Sequence, residues 1–207
     1  MIGNIKGGAG ASQRHHLSFP VPGEMIGARA VEGPVMGPHV IETERLTLRP
    51  LRASDAGLIS LYAGDARVAK MTTRIPHPYP PGAAETLIGR ATRPDSDEQI
   101  WAMDATKIEG SELLGLIAVR GDGEVGYWVG APFWKTGYAR EALEAVIADQ
   151  FAAGREVLTA SVFQDNEPSA KLLTSVGFRY TGVGETVSVS RGGTVPTWTY
   201  ELRPTHD

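Results

Sequence analysis

The run Trp134-Lys135-Thr136-Gly137-Tyr138-Ala139 offers the clearest chemistry in the chain, a seat for an anion. A strand reads up to Val129, Pro132 breaks it, and Gly137 opens an amphipathic helix. The first amides of a helix have no partner inside it. They converge on one point and carry the positive end of the helix dipole. Glycine lets the backbone approach an anion without a Cβ in the way. Ala139 keeps the next turn small, Lys135 and Arg140 add cations, and Thr136 adds a hydroxyl donor. Alone, the turn also reads as a plain strand-to-helix connection. Neither G-x-x-x-x-G-K-(S/T) nor a G-x-G-x-x-G following a strand occurs. Gly7, Gly8 and Gly10 precede no strong helix.

Two further groups suit chemistry. Asn166 and Ser169 flank Pro168 at the start of a short helix, which is also a good capping arrangement. Glu124 begins the strand before the glycine turn, where a solvated strand-end carboxylate is the plain reading. There are five histidines; His15, His16, His39, His77 and His206 show no ligand spacing, and no metal is expected. No cysteine is present, which removes disulfides, a thiol nucleophile and thiolate metal sites. No G-x-S-x-G elbow suggests hydrolysis.

These groups need elements to position them. Leu46–Arg49 alternates as a strand and stops at Pro50; Ser54 and Asp55 read as the cap of a helix through Leu58, Ile59, Leu61 and Tyr62. Short helices are expected over 66–71 and 83–91, around the proline-rich loop Ile75–Gly82. Strands follow at 100–105, 113–119 and 124–129. The strongest helix places Ala139, Ala142, Leu143, Val146, Ile147 and Phe151 on one face and stops at Gly154. Then come a strand at 157–162, a helix at 168–175 closed by Gly177, and strands at 178–190 and 195–202 joined at Arg191–Gly193. This order predicts a mixed α/β (α+β) sheet domain.

The chain has 207 residues, 42% hydrophobic and 21% charged, with a net charge of −4. That suits one domain with an appendage and gives no sign of bulk nucleic-acid or membrane binding. Residues 1–39, rich in Gly and Pro, are read as a flexible arm, and 40–207 as the folded domain. Without an apolar span or a signal-type stretch, the expected location is the cytoplasm.

Four stretches together resemble the GNAT superfamily of N-acetyltransferases, and most of all its Rim-type branch of ribosomal-protein N-terminal acetyltransferases. They are Ile41–Leu51 (IETERLTLRPL), Arg74–Pro80 (RIPHPYP), Glu124–Leu143 and Val162–Phe178 (VFQDNEPSAKLLTSVGF). In the third, Trp134–Ala139 matches the family's pyrophosphate signature (Q/R/W)-x-x-G-x-(G/A). In the fourth, Asn166 and Ser169 match N-x-x-S. The turn departs from the commoner spelling W-G-K-G-Y-A: Lys135 stands for the first glycine and Thr136 for the lysine.

The resemblance implies a mixed central sheet with a splayed parallel strand pair and helices on both faces. It implies acetyl-CoA as co-substrate, with contacts from Trp128, Val129, Lys135, Thr136, Gly137, Tyr138, Ala139, Arg140, Asn166 and Ser169. The pantetheine arm would pair with the strand Tyr127–Val129, and an amide near Val129 would stabilise the thioester oxygen. Ser169 would donate to the leaving thiolate. The base is less defined: the positions at which relatives carry a glutamate or tyrosine hold Ser161, Leu173 and, near Glu185, Ser188. Glu124 is the first candidate, and His77 is a candidate for the border of the acceptor pocket. The implied reaction is acetyl transfer to a primary amine of a small molecule or peptide by direct attack in a ternary complex. The missing glutamate and tyrosine keep a second reading open, a non-catalytic acyl-CoA-binding module. A dinucleotide oxidoreductase is a third, opposed by the absent glycine fingerprint. A homodimer through the C-terminal strands is expected by analogy.

Overall fold

A computed structural model describes residues 38–205. The chain opens with β1 (Ile41–Glu42) and β2 (Thr47–Pro50), then three helices, α1 (Ala56–Ala63), α2 (Ala66–Ala69) and α3 (Ala83–Ala91). Three strands follow, β3 (Glu98–Asp104), β4 (Gly115–Arg120) and β5 (Val125–Val129). The last part runs α4 (Tyr138–Ala152), β6 (Leu158–Phe163), α5 (Glu167–Ser175), β7 (Arg179–Ser188) and β8 (Gly193–Leu202).

The strands form two antiparallel sheets, β1-β2-β3-β4-β5 and β6-β8-β7. They meet at a single parallel bridge between Glu124 and Thr159. The expected parallel pair therefore exists only at its root. Helices cover both faces, as expected. On one, Ala142, Leu143 and Val146 of α4 and Leu173 of α5 pack against Trp101, Met103, Ile117, Val125 and Val129. On the other, Ile59 of α1 and Ile88 of α3 pack against Ile100, Ala102 and Leu116. The division follows the strand period of two, which sends Trp101 and Ala102 to opposite sides.

Local chemistry adjusts several boundaries. Asp104 ends β3 one residue before Ala105, because its carboxylate accepts from the amide and hydroxyl of Thr106 (2.9 and 2.7 Å) in an Asx turn. Asp55 stands at the start of α1 as expected, but its side chain caps nothing there. It accepts instead from the Arg52 amide (2.7 Å) and twice from Arg49 (2.9 and 2.8 Å). Arg49 also reaches Asp104 (2.7 Å) and the Glu112 carbonyl (2.9 Å). All three charged residues are buried. Burial acts against the Arg49 charge, but Asp55 and Asp104 outweigh it and raise the guanidinium pKa.

The arm expected over residues 1–39 lies outside the described residues except for Pro38 and His39. His39 belongs with the folded part: its carbonyl accepts from the Trp101 indole (2.8 Å) and its ring meets Asp149 at 2.8 Å. Among the described residues, no helix is long and apolar enough to cross a membrane.

Candidate functional site

The two sheets part from the Glu124–Thr159 bridge as a fork, with β5 and β6 as its limbs. Strand alternation defines the inner edge of β5. Arg120 N–H donates to the Glu124 carbonyl (3.0 Å) and Gly130 N–H to the Leu114 carbonyl (2.8 Å), so even-numbered residues turn their backbone groups to β4. Thr159 N–H donates to the Gly123 carbonyl (3.0 Å), so odd-numbered residues face β6. The amides of Tyr127 and Val129 thus point into the fork. The Trp134 indole N–H donates to the Val129 carbonyl (2.7 Å), which fixes the strand end and ties it to the following turn.

That turn leads to α4. Gly137 holds the cap position at φ +87° with no side-chain cap, leaving the first amides of a 15-residue helix open. Lys135 also has a left-handed backbone (φ +63°). Its side chain is exposed, as is Thr136, whose hydroxyl donates to the Phe133 carbonyl (2.6 Å). Tyr138 and Ala139 are half-buried against the core. Arg140 is exposed and pairs along the helix with Glu144 (2.8 Å).

Arg45 locks this turn from outside. Its guanidinium bonds Glu141 (2.7 Å), donates to the Thr136 carbonyl (3.0 Å) and lies 4.6 Å from the Tyr138 ring centroid. A Cβ on Gly137 would stand 3.2 Å from its Nη2. Burial pushes the Glu141 carboxyl up. The Thr43 hydroxyl, the Arg45 amide and the Arg45 guanidinium outweigh burial and hold it below the usual carboxylate range. The role of Arg45 was not legible in the sequence, because its partner lies 96 residues away.

Across the fork, α5 starts after β6. Asn166 caps it, accepting from the Ser169 amide (3.4 Å). The Ser169 hydroxyl meets the Tyr127 hydroxyl at 2.8 Å. Burial pushes the Tyr127 phenol up to about 12, with the Ser169 bond pulling the other way. Sequence reasoning named Tyr127 only for its backbone.

The remaining candidates lie apart. Glu124 sits at the closed end of the fork, its carboxylate paired with Arg120 and its amide bonded to Asp122 (3.0 Å). Trp128 turns to the α1/α3 face, opposite Tyr127. Ser161 is exposed, whereas Leu173 and Ser188 are buried. Glu185 is exposed on the sheet face away from Ser161, by its register with Pro196. His77 is an exposed loop residue, and His15, His16 and His206 lie outside the described residues.

The match to known proteins covers both limbs of the fork, the glycine turn and the starts of α4 and α5. Residues 45–179 match the model of the acetyltransferase (GNAT) domain. The chain belongs to the GNAT acetyltransferase family. It is thus an acyltransferase of the acetyl-CoA-dependent N-acetyltransferase class. This GNAT chain is 28% identical over 178 residues to a Bacillus licheniformis protein named as the uncharacterized N-acetyltransferase p20, covering 79% of this chain and 96% of that one. Its fold is shared with Mycobacterium smegmatis RimJ in complex with CoA-disulfide (TM-score 0.67, 19% identity, 80% of this chain and 88% of that one). It is shared too with the ribosomal-protein-S5-alanine acetyltransferase of Vibrio fischeri (TM-score 0.64, 19% identity, 80% and 97%).

Proposed function

We propose that the protein transfers an acetyl group from acetyl-CoA to a primary amine by direct attack in a ternary complex. The fork supports this reading most: its β5 edge presents two amides to a gap whose mouth carries the open start of α4. The amides of Gly137, Tyr138 and Ala139 take the diphosphate, with Lys135, Thr136 and Arg140 at its rim. The odd-numbered edge of β5 pairs with the amide-bearing pantetheine arm, and Asn166 and Ser169 meet it from α5. Val129 N–H lies where charge develops on the thioester oxygen. The α4/α5 face is closed by the Tyr127–Ser169 contact. The amine therefore approaches from the face of Trp128, where Gly126 and Ser161 are exposed. The reaction forms a C–N bond and breaks the C–S bond, and no acyl-enzyme is needed.

The amine must lose a proton. Glu124, the sequence candidate, lies on the same strand face as Trp128 but is held by Arg120, so it would act through water. That engagement, with Ser161 and Leu173 in place of ionisable groups, favours the second reading of a binding module without turnover. One experiment separates the two. Calorimetry with acetyl-CoA, followed by thiol release over a panel of small-molecule and peptide amines, gives binding with turnover for the first. Binding without turnover supports the second, and no binding overturns both.

A further inference from the structure

The Tyr127–Ser169 contact joins the two limbs of the fork. Tyr127 comes from β5 and Ser169 from the helix that follows β6, 42 residues later. Each side chain is half-buried. Either hydroxyl could donate across the 2.8 Å contact, but the reaction separates the two directions. A serine that donates to a leaving sulfur needs its own hydrogen free. It must then accept from the tyrosine, whose hydroxyl has its proton to offer.

We infer that Tyr127 is a positioning residue for acetyl transfer: its hydroxyl donates to Ser169 Oγ and so aims the Ser169 hydroxyl at the departing sulfur of acetyl-CoA. The inference rests on the transfer reading above. As the C–S bond breaks, its electron pair stays on sulfur. Ser169 stabilises that charge by a hydrogen bond, and solvent delivers the final proton. Tyr127 loses no proton in this sequence. With its phenol pushed to about 12, it is a weaker acid than an ordinary thiol, so it supports the serine and does not protonate the sulfur itself.

The test is a cycle of Tyr127→Phe, Ser169→Ala and the double variant, with melting temperature as the control for folding. Ser169→Ala is expected to lower kcat about a hundredfold. Tyr127→Phe is expected to lower it about tenfold, the loss of one supporting hydrogen bond, with KM for acetyl-CoA changed less than twofold. The double variant should be no worse than Ser169→Ala, because the tyrosine acts through the serine. Ser169→Thr, which keeps the hydroxyl, should recover most of the rate. A wild-type rate for Tyr127→Phe beside an impaired Ser169→Ala overturns the role of Tyr127 and leaves the transfer reading standing. So does full additivity in the double variant. A silent Ser169→Ala overturns the inference as well.

A second readout needs no turnover, and its first arm uses the wild-type protein alone: the ionisation of the thiol of bound CoA, followed by thiolate absorbance against pH. Ser169 should make the bound thiol more acidic than free CoA, and each substitution should reverse part of that change. An unshifted thiol in the wild-type complex sinks the inference. Failure to bind CoA at all sinks it together with the transfer reading.

Discussion

Arg45 and Arg49 stand four residues apart on one segment, and each engages carboxylates, yet they do different work. Arg49 is enclosed with Asp55 and Asp104, its side chain 3% exposed, and joins β2, the start of α1 and β3. Arg45 is 35% exposed, and joins the same segment to the start of α4. A buried pair holds the fold because removing one member strands a charge in a poor solvent. A half-exposed pair is screened and contributes little to stability. What Arg45 does instead is fix a backbone: it grips the Thr136 carbonyl and Glu141 on either side of Gly137. One ion pair serves the core and the other serves the turn proposed to seat the diphosphate.

Breaking the buried member should have the largest effect. Arg49→Ala leaves two buried carboxylates without their cation and should cost about 3–5 kcal/mol in chemical unfolding. CoA affinity of the protein that remains folded should be unchanged by calorimetry. Arg45→Ala should show the opposite pattern. Stability should change by about 1 kcal/mol or less, while CoA affinity should fall about tenfold, near the size of one charge-assisted hydrogen bond. Pantetheine, which lacks the diphosphate, should bind both forms alike. If Arg45→Ala weakens pantetheine equally, the lock acts on more than the diphosphate seat.

A smaller effect is expected for Gly137→Ala. Its φ of +87° should cost about 1 kcal/mol with any side chain. The new methyl would press on the guanidinium of Arg45, 3.2 Å away, and would weaken CoA binding more than it lowers the melting temperature. The smallest effect lies in acid. Burial raises the Asp104 carboxyl, but Arg49 and Thr106 outweigh it, so Asp104, like Glu141, ends below the usual range. A depressed carboxylate stabilises the fold above its unfolded pKa, and that contribution is lost as pH falls through the folded value. Both Asp104→Asn and Glu141→Gln should flatten the acid limb of a stability-versus-pH curve, and Asp104→Asn the more, because its side chain is 8% exposed against 16% for Glu141 and is screened less. Equal flattening would erase the distinction between the two arginines.

How much of this was legible follows from range. The six apolar positions expected on one face of α4 all lie in or against one core, because a helical stripe is a local pattern. The glycine turn was equally local, and Gly137 opens the helix as expected. The ties that shape the site were not local. Tyr127 and Ser169 are 42 residues apart, and Arg45 and Glu141 are 96 apart. Nothing in strand or helix period marks such partners. Leu46 and Leu48 announced a strand, but not that Arg49 beside them would be buried, since Asp104 is 55 residues away. Asp55 was placed rightly at a helix start, but its carboxylate takes the Arg52 amide of the preceding turn and the Arg49 guanidinium rather than an amide of α1, a choice that depends on its neighbours in space. The local ties were within reach of the sequence: the Asn166 cap on the Ser169 amide, and the Glu124–Arg120 and Arg140–Glu144 pairs at a spacing of four.

The single bridge at Glu124–Thr159 also bears on motion. Beyond that one rung, two five- and six-residue edges face each other without a shared ladder. What holds the two edges together beyond the bridge is side chains, the Tyr127–Ser169 contact and the common core, rather than backbone hydrogen bonds. A ligand arm lying between the edges would act as a temporary strand and turn two short ladders into one. Amide exchange at Tyr127 and Val129 should slow sharply once CoA is bound, and the whole domain should melt as a tighter unit. In that state the ligand would be part of the architecture.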